Sequence, residues 1–345
     1  MDSSNHCFCE RGFIVKKLLF VYLLLIGLFV IYIYNYQMES STKRAWNENE
    51  LVGNMDETYV MVTFLVGIDY WKRALKGFED AAESLNVSVE YRGSTQYDVH
   101  EEMTVLEQVI AKNPAGIAIS TMDPEALNPV IDKAVEAGIP VVMFDADAPE
   151  SKAYSFLGTD NYKAGVEAAH KMADLVNKSG EVGVITLPHQ LNHQERTKGF
   201  QDTISKEYPE MKVVSINDGR GDQVISKEEA EAMIAANPNL VGIFVTEANG
   251  GVGVGQAIVS NNLKDSIKII SFDTDKGTLD MIKDDVISAT IAQGTWEMGY
   301  WSLQFLFHLQ HGIYDQDRKN APLPRNVDTG VTIVTKENVD SYYPQ

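Results

Sequence analysis

Cysteine is nearly missing from this 345-residue chain: Cys7 and Cys9 are the two it has, and both precede its one long apolar run. No disulfide framework can staple the rest of the chain, which must be held by a core of its own. No cysteine stands directly after the apolar run, where Asn35, Tyr36, Gln37 and Met38 come instead, and this excludes a lipid-attachment site of the bacterial kind there. Positive charge is scarce. Lys and Arg total 29 against 49 Asp and Glu, for a net charge of −20 that repels nucleic acid and anionic lipid surfaces. Catalytic signatures are missing too, with no H-E-x-x-H, no G-x-S-x-G and no G-K-S/T. The glycine-rich NGGVGVGQ (249–256) lacks the spacing of a dinucleotide fingerprint, which leaves close helix packing as its reading.

What is present begins with LLFVYLLLIGLFVIYIY, residues 18–34, extended backwards by Phe13, Ile14 and Val15. A helix rising ~1.5 Å per residue over this stretch nearly crosses a ~30 Å bilayer core, and it is longer than the apolar core of a cleaved signal peptide. Arg11, Lys16 and Lys17 lie before it, and the next basic residues are Lys43 and Arg44, so the positive-inside bias sets residues 1–12 in the cytoplasm and the bulk of the chain outside the cell. The expectation is a single-pass protein of the cell membrane, held in the lipid bilayer through a signal anchor at 13–36. Residues 37–57 are polar and patternless and read as a stalk with a coil span of about 25 Å.

Beyond residue 58, short apolar runs alternate with amphipathic stretches. YVMVTFLVG (59–67) has the length of a strand, and Ala74, Leu75, Phe78, Ala81, Ala82 and Leu85 then recur at helical spacing. The pattern repeats through AGIAIS (115–120) and IPVVMFD (139–145), and a second series runs from a helix at 161–178 through further helices at 194–207, 226–236, 251–262 and 276–283 to ISATIAQ (287–293). Alternation of this kind implies parallel sheets covered on both faces, and two comparable series imply two similar lobes.

In open parallel sheets ligands bind beyond the carboxyl ends of the strands, so the residues just after each apolar run are the candidates. They include Tyr70 and Trp71, Asp145 and Asp147, Asp160 and Asn161, 189–196, Glu247 and Asn249, Asp273 and Asp275, and Gln293. Asp160 and Asp275 read as helix N-caps. Asp145 and Asp273 each end a fully apolar strand where a cleft should lie. Two bulky rings at 70 and 71 leave no room for a backbone to approach a pyrophosphate, which argues against a dinucleotide there. His189 and His193, with Glu195, have a spacing that could hold a metal on a helix, but a proline precedes them and a loop is expected; no metal or other cofactor is called for. The triplets NVS at 86 and NKS at 177 match the glycosylation pattern, which arises readily by chance.

Five pieces fall in one order and spacing: AGIAISTMDPEALNPVIDKAVEAGIPVVMFDADAP, FLGTDNYKAGVEAA, QERTKGFQDTI, ANPNLVGIFVTEANGG and IISFDTDKGTLDMIKDDVISATIAQ. As an ordered set the chain from about residue 59 onward resembles the type I periplasmic sugar-binding proteins, the ribose-binding family. The resemblance implies an α/β fold of two doubly wound parallel-sheet lobes joined by three crossovers near 157–159, 291–294 and 328–331. The N-terminal lobe is expected at 58–157 plus 294–329, and the C-terminal lobe at 158–293 plus 330–345. It further implies that Tyr70 and Trp71 sandwich a sugar ring, and that Asp145, Arg196, Asp273 and Gln293 bind its hydroxyls, with Glu247 standing where the family usually has asparagine. Ile68, Ala146 and Gly221 depart from the ribose binders, which counts against ribose itself; the implied ligand is a monosaccharide, a pentose or hexose. These residue types suit a sugar: carboxylates, guanidinium and amide for hydroxyls, aromatic rings for the C–H face. None of them makes an activated nucleophile, which favours binding over a sugar-processing enzyme. A sugar-responsive repressor of the same core would begin with a basic helix-turn-helix rather than an apolar segment. The expected role is a tethered receptor whose closed form is read by a membrane partner, a sensor histidine kinase of the kind that serves membrane-anchored xylose receptors or, alternatively, the permease of an ABC transporter.

Overall fold

The computed structural model describes residues 22, 25–27, 29–32, 52–313 and 323–343. The chain divides into Met1–Gly53 and Asn54–Gln345. In the first unit the described residues from 22 to 32 are helical with exposed side chains, among them Tyr22, Leu25 and Phe29. Among the described residues no helix is long and apolar enough to cross a membrane. Most of the segment expected to anchor the chain, 13–36, lies outside them, as do 1–12 and most of 37–57. The last stretch read as stalk belongs to the second unit: Glu57 accepts from His311 at 2.8 Å and its backbone carbonyl accepts from Ser88.

The second unit is built on two six-stranded sheets. The first contains β1 (Thr58–Thr63), β2 (Ser88–Gly93), β3 (Gly116–Ile119), β4 (Val141–Phe144), β5 (Phe156–Gly158) and β11 (Asn326–Asp328), in the order β11-β5-β4-β3-β1-β2. The second contains β6 (Gly180–Thr186), β7 (Met211–Asp218), β8 (Leu240–Val245), β9 (Lys268–Phe272), β10 (Ala289–Gln293) and β12 (Val331–Val334), in the order β12-β10-β9-β8-β6-β7. The two orders correspond strand for strand. All pairings are parallel except β10 with β12. The exception comes from the path: β11 leaves the first lobe and β12 enters the second after Thr329 and Gly330, so β12 runs against the outgoing β10.

The short β strands are apolar at nearly every position because both faces are covered. Side chains alternate between the covers: Tyr59 and Met61 pack with Trp71, Phe78 and Leu306, whereas Val60 and Val62 pack with Leu106, Leu127 and Ile131. Around the sheets lie α1 (Asp69–Leu85), α2 (Val99–Ala111), α3 (Pro124–Glu136), α4 (Asn161–Leu175), α5 (Leu191–Glu207), α6 (Gln223–Ala236), α7 (Gly250–Ser260), α8 (Lys276–Lys283) and α9 (Thr295–Gln310). Several start at an aspartate whose carboxylate accepts a backbone N–H of the first turn, including Asp160 from Lys163 at 3.0 Å and Asp275 from Thr278 at 3.2 Å, in line with their reading as N-caps. Helix α9, absent from the periodicity reading, packs beside α1 with Met298, Leu303 and Leu306 fully buried.

Chain passage between lobes occurs after β5, after β10 and after β11, at residues 159–160, 294 and 329–330. The first and second of these lead directly into α4 and α9. Each of these helices then lies against the helix that follows the first strand of the lobe it enters, α4 on α5 and α9 on α1, through matched glycines. A Cβ at Gly165 would sit 2.0 Å from the Arg196 carbonyl, and one at Gly199 2.0 Å from that of Tyr162. In the first lobe a Cβ at Gly299 would sit 1.8 Å from the Ala74 carbonyl, and one at Gly77 2.0 Å from that of Trp296. The helices approach to backbone contact at these points, so Gly165→Ala must push α5 away. Overpacking of this sort costs ~1–3 kcal/mol, and a thermal melt of Gly165→Ala should show a midpoint lower by several degrees. An unchanged midpoint would mean that the helices separate freely and that the contact is not a constraint.

Candidate ligand-binding site

Strand β4 delivers Asp145 and strand β9 delivers Asp273, at equivalent places in the two sheets. Both leave their strand with a left-handed backbone, at φ 60° and 64°. Their amides still extend the ladder, Asp145 donating to the Leu157 carbonyl at 3.1 Å and Asp273 to that of Ile291 at 2.8 Å. Aspartate tolerates this conformation better than most L-residues, and backbone strain of ~1–3 kcal/mol held at a strand end is a recurring mark of functional positions. Both carboxylates are nearly inaccessible, at 5% and 8%.

Arg196 lies on α5, 2% exposed, at the contact with Gly165. Its guanidinium stacks on Phe272, with Cζ 3.8 Å from the ring centre. Nε donates to Asn161 Oδ1 at 2.8 Å, Nη1 to the Thr246 carbonyl at 2.8 Å and Nη2 to Gln293 Oε1 at 2.9 Å. Three of its five N–H groups are thereby fixed. Gln293, the last residue of β10, joins the pieces: its amide N–H groups donate to Asp273 Oδ1 at 2.8 Å and to the Tyr70 hydroxyl at 3.0 Å, and its oxygen also accepts from Thr159 at 2.7 Å. Tyr70 donates to Asp145, whose other oxygen accepts from Ser120 at 3.0 Å. The structure thus brings Tyr70, Asp145, Arg196, Asp273 and Gln293 into one hydrogen-bonded cluster where the lobes meet. Closer to the edge of the cleft, Gln190 of the second lobe donates to the Tyr97 hydroxyl of the first.

The other two candidates sit differently. Trp71 is 2% exposed in the core of the first lobe, edge-on to Phe64 and Phe144, and donates Nε1–H to the Phe64 carbonyl at 2.8 Å. Its ring stands at 71° to that of Tyr70, so the pair forms a corner and not two parallel walls. Glu247 turns both oxygens to the start of α7, accepting from Asn249 N at 2.7 Å and Gly250 N at 2.6 Å, which gives it the work of a cap. The segment expected as a loop around His189 and His193 is partly helix. His193 belongs to the first turn of α5, buried, with Nδ1 against the Thr246 carbonyl and hydroxyl at 3.0 and 3.1 Å, so that nitrogen is not free for a metal. Among the described residues no three His, Cys, Asp or Glu side chains are grouped to hold a metal ion.

Thr159, Ser120 and Thr246 complete the cluster and carry no signal of their own in the sequence; Asn161 does, as a polar residue directly after an apolar strand. Electrostatics are set by burial. Desolvation pushes the Asp273 carboxyl up to about 7 against the opposing pull of Arg196, and Asp145 is raised for the same leading reason. Glu247 is pushed to about 7 by burial despite its two backbone donors. Burial and Arg196 together hold His193 well below the usual histidine range, and so neutral.

Residues 59–312 match the periplasmic binding protein domain, which covers most of the chain. The chain belongs to the type I periplasmic sugar-binding protein family. Among its relatives is the ribose import binding protein of Bacillus subtilis, 27% identical over 72% of this chain and 80% of that protein. Two solved structures are each 62% identical to it. One is a sugar-binding protein of a sugar ABC transporter from Bacillus halodurans (TM-score 0.80; 83% of this chain, 100% of that one), and the other is AraP, an arabinose-binding protein from Geobacillus stearothermophilus (TM-score 0.78; 84% and 99%). A less similar structure is the XylFII–LytSN complex, 26% identical with TM-score 0.73 over 81% of this chain and 98% of that one.

The raised carboxyls set a direction with pH. Their unfolded values are ~4, so between pH ~4 and ~7 the native state binds more protons than the unfolded one, and stability falls as pH rises through that window. The unliganded chain should therefore gain less stability between pH 8 and pH 5 when Asp273 is replaced by Asn, a residue that keeps the left-handed backbone; parallel melting curves for the two proteins would contradict the assignment of the shift to Asp273.

Proposed function

We propose that this chain is an extracytoplasmic receptor that closes over one monosaccharide, an aldopentose of the arabinose class in the first instance, and presents the closed form to a membrane partner. The observation that carries the reading is the buried cluster of Arg196, Gln293, Asp145 and Asp273 at the junction of two lobes, with Tyr70 as its aromatic member. A pyranose offers several hydroxyls that donate to carboxylates and accept from guanidinium and amide groups, and an apolar face that packs on a ring. The choice of arabinose rests on the 62% identity to a protein named for binding it. Closure about the crossovers at 159–160, 294 and 329–330 brings both lobes onto the ligand.

Calorimetry against a panel of pentoses and hexoses tests the assignment. Micromolar affinity corresponds to about 8 kcal/mol, and a charge-assisted hydrogen bond in a closed cleft contributes ~1.5–3 kcal/mol. Asp145→Asn and Asp273→Asn, which keep the backbone shape and remove the charge, are each expected to weaken binding roughly 10- to 150-fold. Affinity should also fall as pH drops below about 7, because sugar hydroxyls favour the ionised Asp273. Absence of heat with every sugar would overturn the reading.

Two partners have support. A sensor kinase ectodomain fits a chain whose apolar segment 18–34 is long enough to stay in the bilayer and has no lipid-attachment cysteine after it, because a spanning helix keeps one receptor beside one partner at high effective concentration. Likeness to the XylFII–LytSN complex is consistent with a dedicated protein partner. A permease fits the name of the Bacillus halodurans relative. Deleting the gene separates them: a kinase receptor predicts loss of sugar-induced transcription with initial uptake of labelled sugar intact, and the reverse pattern assigns the chain to transport.

A further inference from the structure

Beside the Arg196 cluster the cleft widens into a cavity of about 490 Å³ between the lobes, lined by none of Tyr70, Asp145, Arg196, Asp273 or Gln293. It borders them through shared residues. Thr159 and Asn161, which line the cavity, are the partners of Gln293 and Arg196 at 2.7 and 2.8 Å, and Ala146, also on its wall, comes directly after Asp145. A volume of this size lies within the ~300–1,000 Å³ range of small-molecule pockets and is more than one ring beside Arg196 would use.

The lining has the chemistry of a carbohydrate site and of little else. Asp147 and Glu195 supply acceptors from opposite lobes, Gln190 and Asn192 supply amides, and Phe156 and Tyr162 supply aromatic surface. Asp147 accepts one backbone N–H, from Ala148 at 2.8 Å, and Glu195 accepts no hydrogen bond from any described residue. Asp160 and Asp328, the other two carboxylates of the wall, are engaged with Lys163, as a cap at 3.0 Å and an ion pair at 3.6 Å. No lysine or arginine lines the space, and the nearby cations Lys163, Arg196 and Arg325 already act on its carboxylates from behind the wall, so an anionic group placed there meets like charge first and loses hydration without a donor of its own.

We propose that this cavity is a second glycosyl subsite: the cleft accepts an uncharged disaccharide of pentose units with one ring at Arg196 and the other in the cavity, and rejects the same ligand when the outer ring carries a carboxylate. The inference rests on the sugar reading of the Arg196 cluster. Calorimetry on the full chain tests it with arabinose and arabinobiose, xylose and xylobiose, and the acidic disaccharide glucuronosyl-xylose. At least one neutral disaccharide is expected to bind within tenfold of its own monosaccharide, and the acidic one at least tenfold more weakly than xylobiose. Leu191→Trp fills the cavity from the exposed first position of α5 and should weaken the disaccharide at least tenfold while leaving the monosaccharide within twofold. Monosaccharide binding with no disaccharide binding would sink the subsite and leave the sugar reading standing, as would equal losses for both ligands in Leu191→Trp. Silence with every sugar would remove the sugar reading and the subsite with it.

Discussion

One positive charge, the guanidinium of Arg196, is buried between two lobes, and much of the surrounding structure is what makes that tolerable. Removing such an ion from water costs several kcal/mol unless its donors are matched and opposite charge is close. Asn161, the Thr246 carbonyl and Gln293 take three N–H groups, Phe272 covers one face, and Asp145 and Asp273 provide negative potential from the two lobes. The balance is mutual. Asp273 is buried enough that its carboxyl would favour the neutral form, and Arg196 is what pulls it back. A neutral polyol inserted here replaces water and keeps the charges compensated, whereas an anion would compete with the two aspartates for one arginine.

The frame around this charge is duplicated and the site is not. Matching sheet orders and matching glycine contacts make α1 and α9 of the first lobe the counterparts of α5 and α4 of the second. In that correspondence Ala74, whose carbonyl meets Gly299, occupies the place of Arg196, whose carbonyl meets Gly165. The first lobe uses the position for core packing and the second for its buried charge. The aspartates at the ends of β4 and β9 are, by contrast, retained in both copies with the same left-handed backbone.

The buried cluster and the passages between the lobes share residues. Gln293 ends at the second passage between lobes and is bonded to Thr159 of the first. Asp160 N donates to Asp328 at 3.2 Å, which ties the first passage to the third, and Gly294 N donates to the Gly330 carbonyl at 3.3 Å, which ties the second to the third. Gln293 therefore belongs at once to the buried cluster and to the passages between the lobes, so a substitution there disturbs both.

Much of this was legible in the order of residues. Strands buried on both faces must be apolar throughout, so β3, β4, β9 and β10 stand out as runs, and the polar residue that ends such a run lies toward the cleft edge; that physics puts Asp145, Asp273 and Gln293 among the candidates, beside others such as Glu247 that do different work. Arg196 could be named through family spacing, because nothing local distinguishes a buried arginine from a solvated one on a helix. Other features belong to tertiary structure. Trp71 and Tyr70 are neighbours in sequence, yet one fills the core and the other bonds to a carboxylate, since successive residues on a helix point about 100° apart and only packing decides which way the core lies. Glu247 became a cap because α7 begins three residues on, and His193 became a buried ring held by the Thr246 carbonyl just past the end of β8, kept neutral by burial beside Arg196. The sequence determined the elements, their alternation and the strand-end carboxylates; the fold decided which polar groups meet, because hydrogen-bond partners as far apart in the chain as Tyr70 and Gln293 leave no periodicity to read.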